Sequence, residues 1–152
     1  MSELNDLERL RRSFRAKQIT TLFVGESPPH GGTFFYKEDS LLYHRMKESF
    51  GAASNLLPAF RSKGFFLDDL VLYPINHIKD KNERYKHRQS AVPSLAQRMA
   101  DYRPLAVVAL MCGIKSMVAD AMREAGLSET PLHVTPFPGR PEHQQRFKGE
   151  NG

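Results

Sequence analysis

Leu105-Ala106-Val107-Val108-Ala109-Leu110-Met111 is an uninterrupted apolar run, the pattern of a central parallel strand covered on both faces. Its surroundings follow an alternating plan. Upstream, Ser90 to Tyr102 has the apolar spacing of a helix that must stop before Pro104. Downstream, Gly113 opens a helix expected from Ile114 to Ala125 and closed by Gly126. Further out, Ile19 to Val24 is a short β-branched and apolar run ending at Gly25, and Phe65 to Tyr73 is a second strand candidate ending at Pro74. Leu132 to Thr135 is a last short strand. Between the first two strands, Asp39 or Ser40 can cap a helix from Leu41 to Phe50, and Asn55 a shorter one ending near Gly64. Leu4, Leu7, Leu10 and Phe14 make Glu3 to Ala16 an amphipathic helix with a charged opposite face. A polar helix is expected from Pro141 to about Lys148. The order strand, helix, strand, helix, strand, helix, strand predicts a three-layer α/β/α domain with a four-stranded parallel sheet.

Length and composition agree with one domain spanning residues 1–152. No run of about 18 apolar residues is present, and Met1 to Arg15 is charged without an apolar leader core, so a cytoplasmic chain is expected. The single cysteine, Cys112, cannot form an internal disulfide or a multi-cysteine zinc or iron–sulfur site; it is expected to be a small buried hydrophobe at a strand end. No P-loop, zinc motif or dinucleotide fingerprint occurs, which leads us to expect a pocket without metal or cofactor. Lys and Arg total 22 against 17 acidic residues, a formal net charge of +5 that suits a polyanionic partner. The excess is concentrated. Lys79, Lys81, Arg84, Lys86, His87 and Arg88 flank Tyr85, as expected of a loop that follows phosphates and stacks a base.

Ligands of parallel α/β sheets bind beyond the carboxyl ends of the strands. Three segments expected there carry unusual residues: Gly25 to Tyr36, Pro74 to Arg88, and Pro136 to Arg140. The first holds two prolines, His30, Gly31 and Gly32 after Gly25, and the cluster Phe34, Phe35 and Tyr36, too aromatic for a plain solvated linker.

Gly25-Glu26-Ser27-Pro28-Pro29 resembles motif A of the uracil-DNA glycosylase-like superfamily, in which a strand ends in glycine, two polar or small residues, and proline. The resemblance extends to Gly32-Thr33-Phe34-Phe35-Tyr36, to the second strand leading to Pro74, to the Arg103-Pro104 entry into an apolar strand, to the Cys112-Gly113 turn, and to the Pro-rich loop after the last strand. It implies a uracil-DNA glycosylase-like fold acting on a base flipped out of DNA in base-excision repair. It also implies roles for particular residues. Phe34 or Phe35 would stack on the base, the other reading being that both are core. Glu26 would be the catalytic acid residue, acting on water or on an oxocarbenium-like sugar; otherwise it caps the loop by accepting backbone N–H bonds. Ser27 stands where other branches carry the water-activating Asp or Asn, and a hydroxyl is a poor base. Asp68 or Asp69 matches the base-reading Asn. An ionised Asp accepts from a ring N–H but repels a carbonyl, which favours a base with an exocyclic amino group over uracil. Phe137 replaces the histidine that donates to the leaving base, unless His133, Arg140 or His143 supplies that charge. Removing such a donor costs roughly two to three orders of magnitude in rate.

The expected partner is therefore DNA, single- or double-stranded, or another nucleobase-containing ligand, gripped by Lys79, Lys81, Arg84, Lys86, His87, Arg88 and Arg140, with the base against Phe34, Phe35, Asp68, Asp69 and Phe137. The chain is expected to act as a monomer. Two alternatives share the fold: a nucleobase- or nucleic-acid-binding module without catalysis, and a small hydrolase of nucleosides.

Overall fold

The computed structural model describes residues 2–51 and 55–135. The loop and helix expected over residues 136–148, with Phe137, Arg140 and His143, lie outside them.

Helix α1 (Ser2–Ser13) leads into β1 (Thr21–Gly25). Helices α2 (Leu41–Ser49) and α3 (Leu56–Ser62) lie between β1 and β2 (Phe65–Asp69). Helix α4 (Lys81–Tyr102) precedes β3 (Ala106–Ala109), and α5 (Lys115–Glu124) precedes β4 (Leu132–Val134). The four strands form one all-parallel sheet in the order β2-β1-β3-β4, as the alternation predicts. Among the described residues no helix is long and apolar enough to cross a membrane.

Alternation along β2 shows which layer covers which face. Phe65 meets Phe60 of α3, with ring centroids 5.5 Å apart. Its neighbour Phe66 meets Tyr102 of α4 at 5.3 Å. Period-two alternation thus turns Phe65, Leu67 and Asp69 toward the α2–α3 layer, and Phe66 and Asp68 toward α4. Both faces being covered, β1 and β2 are buried along almost their whole length. Gly64, at the entry to β2, has φ of 79°, and a Cβ there would meet Thr20 Cγ2 at 2.7 Å. Only glycine serves at that turn.

Three boundaries differ from expectation. Strand β2 stops at Asp69, yet Leu70 and Val71 still donate their N–H groups to the carbonyls of Gly25 (2.8 Å) and Glu26 (2.9 Å), so the chain stays tied to the end of β1 as it turns. The basic segment from Lys81 to Arg88 is helix, not loop. Asp80 caps it, its carboxylate accepting from the N–H of Asn82 (2.9 Å) and Glu83 (3.2 Å), and Pro93 is carried inside the helix with its ring exposed. Cys112 is exposed in a 3-10 turn, because β3 ends at Ala109 and the chain has left the core by that point.

As the outer strand, β2 carries unpaired polar backbone, and side chains satisfy it. Tyr36 Oη accepts from Leu67 N (2.8 Å), Arg11 Nη1 donates to Leu67 O (2.9 Å), and Arg98 donates to Asp69 O (2.8 Å) and Leu70 O (3.1 Å). The edge is closed to another strand.

Candidate functional site

The strand order places β1 and β3 side by side while their connections run to opposite sides of the sheet. A crevice opens at such a switch point, beyond the carboxyl ends of the strands. There the chain forms a cavity of about 350 Å³, lined by Gly25 to Pro29 from the loop after β1, by Leu110 and Met111 after β3, and by Leu67 and Asp69 of β2. Thr33, Phe34 and Phe35, the start of α2, and Asn76 complete the wall. That volume lies at the lower end of the roughly 300–1,000 Å³ typical of small-molecule sites.

Phe34 and Phe35 both line the cavity and both belong to the core, being 1% and 3% exposed. Phe34 lies 5.0 Å beneath the Arg11 guanidinium, and Phe35 packs edge-on against Tyr36 and Tyr43. The two readings, core and cavity wall, are therefore compatible.

The adjacent aspartates part company because β2 turns successive side chains to opposite faces. Asp69 lines the cavity; Asp68 faces α4, where Tyr102 Oη donates to it (2.6 Å) and Arg98 Nη1 lies 2.9 Å away. Arg11, fully buried, reaches both, with Nη2 3.1 Å from Asp69 Oδ2 and Nε 3.6 Å from Asp68 Oδ1. Burial disfavours the charge on Asp68, but Arg11, Arg98, the Tyr102 hydroxyl and the Asp69 N–H outweigh it and hold the carboxyl below the usual range. Burial pushes Asp69 up to about 6; Arg11 opposes the rise and the charge on Asp68 adds to it. Asp69 Oδ1 has no hydrogen-bond donor among the described residues and lies so near Gly25 that a Cβ there would come within 2.8 Å of it. One acceptor oxygen thus faces the cavity.

Glu26 lines the cavity and is 10% exposed. Arg84 Nη2 donates to its Oε1 at 2.6 Å, and Arg88 Nε to its Oε2 at 2.7 Å, with Arg88 Nη2 also on Oε2. Among the described residues its side chain caps no backbone N–H group; both oxygens go to guanidinium groups. Ser27 Oγ accepts from Ile75 N at 3.3 Å, joining the loop after β1 to the loop after β2. Asn76 accepts from His30 N, and the rings of His30 and His77 stack 4.1 Å apart.

The basic run is divided by the helix that carries it. Arg84 and Arg88, four residues apart, turn inward to Glu26. Lys79, Lys81 and Lys86 are exposed, Lys86 pairing with Glu83 at 3.7 Å. His87 is half-buried and shares a 2.7 Å hydrogen bond with Tyr73 Oη. His133 is exposed on β4 and is not part of the cavity wall. Among the described residues no group of three or more His, Cys, Asp and Glu could hold a metal ion.

Sequence reasoning missed Arg11, Arg98 and Tyr102, which set the charge and position of the two aspartates, and the bond of Tyr36 to the Leu67 N–H. A signal existed for Arg11. Leu7 and Arg11 of α1 and Phe14 just after it have i, i+4, i+7 spacing, so a cation sits within an apolar stripe and needs a buried partner. Comparison of the sequence with protein-family models and with curated proteins finds no match.

Proposed function

We propose that the chain holds a single unpaired nucleobase of DNA in the cavity at the end of β1, in the manner of a uracil-DNA glycosylase-like protein. The observation that carries this reading is the cavity itself, an apolar slot walled by Phe34 and Phe35 in which Asp69 has one carboxylate oxygen without a donor among the described residues, while both oxygens of Glu26 are held by arginines. Aromatic and apolar walls suit the face of a base. A single acceptor oxygen suits an edge that offers N–H groups, as cytosine and guanine do through ring or exocyclic nitrogen, and disfavours the carbonyl-flanked edge of uracil. The exposed lysines on and before the first turns of α4 supply the charge that follows a phosphate backbone.

Glu26 supports a second reading, hydrolysis of the glycosidic bond. In that reaction water adds its oxygen to C1′ of the sugar, Glu26 takes the proton, and the C1′–N electrons leave with the base. Both its oxygens are engaged by Arg84 and Arg88, so the resting arrangement of Glu26 is that of an ion pair. Binding is thus the leading function.

The test uses labelled single-stranded oligonucleotides containing one guanine, cytosine, uracil, hypoxanthine or xanthine in an abasic background, with binding and base release followed together at low and moderate salt. Selective binding of guanine- or cytosine-containing strands, lost on Asp69→Asn and weakened by salt, is expected. Equal binding of all strands, including the fully abasic one, would refute a base pocket. Base release by the wild type but not by Glu26→Gln would establish the hydrolase.

A further inference from the structure

We infer that Arg84 and Arg88 form a phosphate subsite whose resting occupant is the Glu26 carboxylate, and that the phosphate next to a bound base displaces Glu26 from them. The inference rests on the nucleobase reading above and adds to it the residues that recognise the backbone and a means by which substrate frees the carboxylate.

The geometry is that of an anion site already filled. Arg84 and Arg88 are one helical turn apart on α4, and Lys81 precedes them on the same face, giving i, i+3, i+7 spacing. Both guanidinium groups converge on one carboxylate, with donor distances of 2.6 Å to Oε1 and 2.7 Å to Oε2. Carboxylate and phosphate are recognised by arginine through the same paired N–H geometry, so the exchange keeps the donor arrangement. Charge favours it: two arginines face one carboxylate, and Lys81 at the head of the stripe is exposed. Arg84 Nε is buried and has no hydrogen-bond partner among the described residues. An incoming tetrahedral anion has more oxygens than the carboxylate and can reach that donor. Position completes the argument. Glu26 itself lines the cavity, so the arginines sit one glutamate side chain from a base lodged there, and a nucleotide joins its base to its phosphate across a single sugar.

An ordinary structural ion pair predicts the opposite response to substitution. Glu26→Gln would then only loosen the arginines and weaken every ligand. As an internal competitor, Glu26 holds phosphate off, and its amide analogue yields the site more readily.

The experiment is isothermal titration at low salt of deoxyguanosine, deoxycytidine and their 3′- and 5′-monophosphates into wild type, Glu26→Gln and the double variant Arg84→Met/Arg88→Met. Thermal denaturation in inorganic phosphate, against chloride at equal ionic strength, runs beside it. The readout is the ratio of monophosphate to nucleoside affinity. We expect it to be about tenfold or more in wild type for at least one isomer, higher in Glu26→Gln, and near one in the arginine variant, because charge-assisted hydrogen bonds are made or lost with the phosphate alone. A wild-type ratio near one with nucleosides still bound, or a lower ratio in Glu26→Gln, overturns the subsite and leaves the base pocket standing. If no nucleoside binds, the base reading falls and inorganic phosphate decides. Greater stabilisation of Glu26→Gln than of wild type upholds the subsite, and equal or absent stabilisation overturns it, whether or not the arginine variant folds.

Discussion

Replacing Arg11 with methionine tests whether the buried charge cluster behind the cavity works as described. The side chain is fully buried and, besides its ion pair to Glu8 on the same helix at 3.2 Å, supplies three things: a donor to Leu67 O at 2.9 Å, an ion pair to Asp69 Oδ2 at 3.1 Å, and positive charge 3.6 Å from Asp68 Oδ1. Methionine fills similar space without any of them. Breaking a buried ion pair by removing one partner costs about 3–5 kcal/mol, and an orphaned buried carbonyl about 1–3. These overlap, so about 4 kcal/mol is expected at pH 8, a large share of the roughly 5–15 kcal/mol that holds a typical domain together. The penalty must depend on pH. Asp69 titrates near 6, so at pH 5 it is mostly protonated even beside Arg11 and loses little when the cation goes. Asp68 keeps Arg98 and Tyr102 at either pH. At pH 5 the loss should therefore shrink to about 2 kcal/mol, the share of the carbonyl and of Asp68. Urea denaturation followed by far-UV circular dichroism measures both, the chain having no tryptophan. Adding Asp69→Asn to Arg11→Met should recover at least about 1 kcal/mol at pH 8. A penalty below about 1 kcal/mol, or one identical at pH 5 and pH 8, would refute the reasoning.

Further outcomes are expected for stability and for binding. Because the folded protein holds the Asp69 proton more tightly than the unfolded chain, stability from this group falls as pH rises from about 4 to about 6, by about 3 kcal/mol, and is constant above; Asp69→Asn should flatten that slope in urea titrations. Asp68 has the opposite sign, its folded-state value being lowered, so its contribution is lost as pH falls below the ordinary carboxylate range. The same ionisation governs binding, and affinity for guanine- or cytosine-type ligands should drop about tenfold between pH 7 and pH 5, measured by titration calorimetry. Gly25→Ala places a methyl group 2.8 Å from Asp69 Oδ1, so ligand affinity should fall at least about tenfold as the carboxylate is pushed aside, whereas Asp80→Ala should cost about 1 kcal/mol of stability with little change in affinity.

Much of the fold was legible because each strand announces itself by a different device. Leu105 to Met111 is wholly apolar, Ile19 to Val24 ends at a glycine, and Phe65 to Tyr73 ends at a proline, although its strand stops at Asp69. The misreading at Lys81 to Arg88 has a physical cause. The segment is polar on every side, so hydrophobic periodicity carries no helix signal there, and only Asp80 at the cap position marks the start. The cavity wall was legible in type, since Glu26, Phe34, Phe35 and Asp69 all reach it. What each one touches was not. Asp68 and Asp69 are equivalent in sequence, and only strand pleat and the edge position of β2 decide which faces the cavity. Arginines 84 and 88 read as solvent-facing because nothing local shows that Glu26, more than fifty residues earlier, would meet them.

Closing the edge of β2 and furnishing the cavity turn out to be one problem with one solution. An outer parallel strand must satisfy its free backbone groups, and here the buried Arg11 of α1 and the half-buried Arg98 of α4 do so. Arginines drawn out of water need counter-charges within reach, and Asp68 and Asp69 on the same strand provide them. Pleat sends one of those carboxylates to the α4 side, where it is fully engaged, and the other toward the cavity with an oxygen to spare. An ionisable acceptor at the cavity wall is thus a consequence of how the sheet edge is closed. It follows that α1 is part of the site without touching it. A substitution that shifts this helix, such as Phe14→Ala, which removes a ring stacked 5.2 Å from Tyr36, should move Arg11 and raise the pH at which ligand affinity is lost. A purely structural α1 would lower stability and leave that pH where it is.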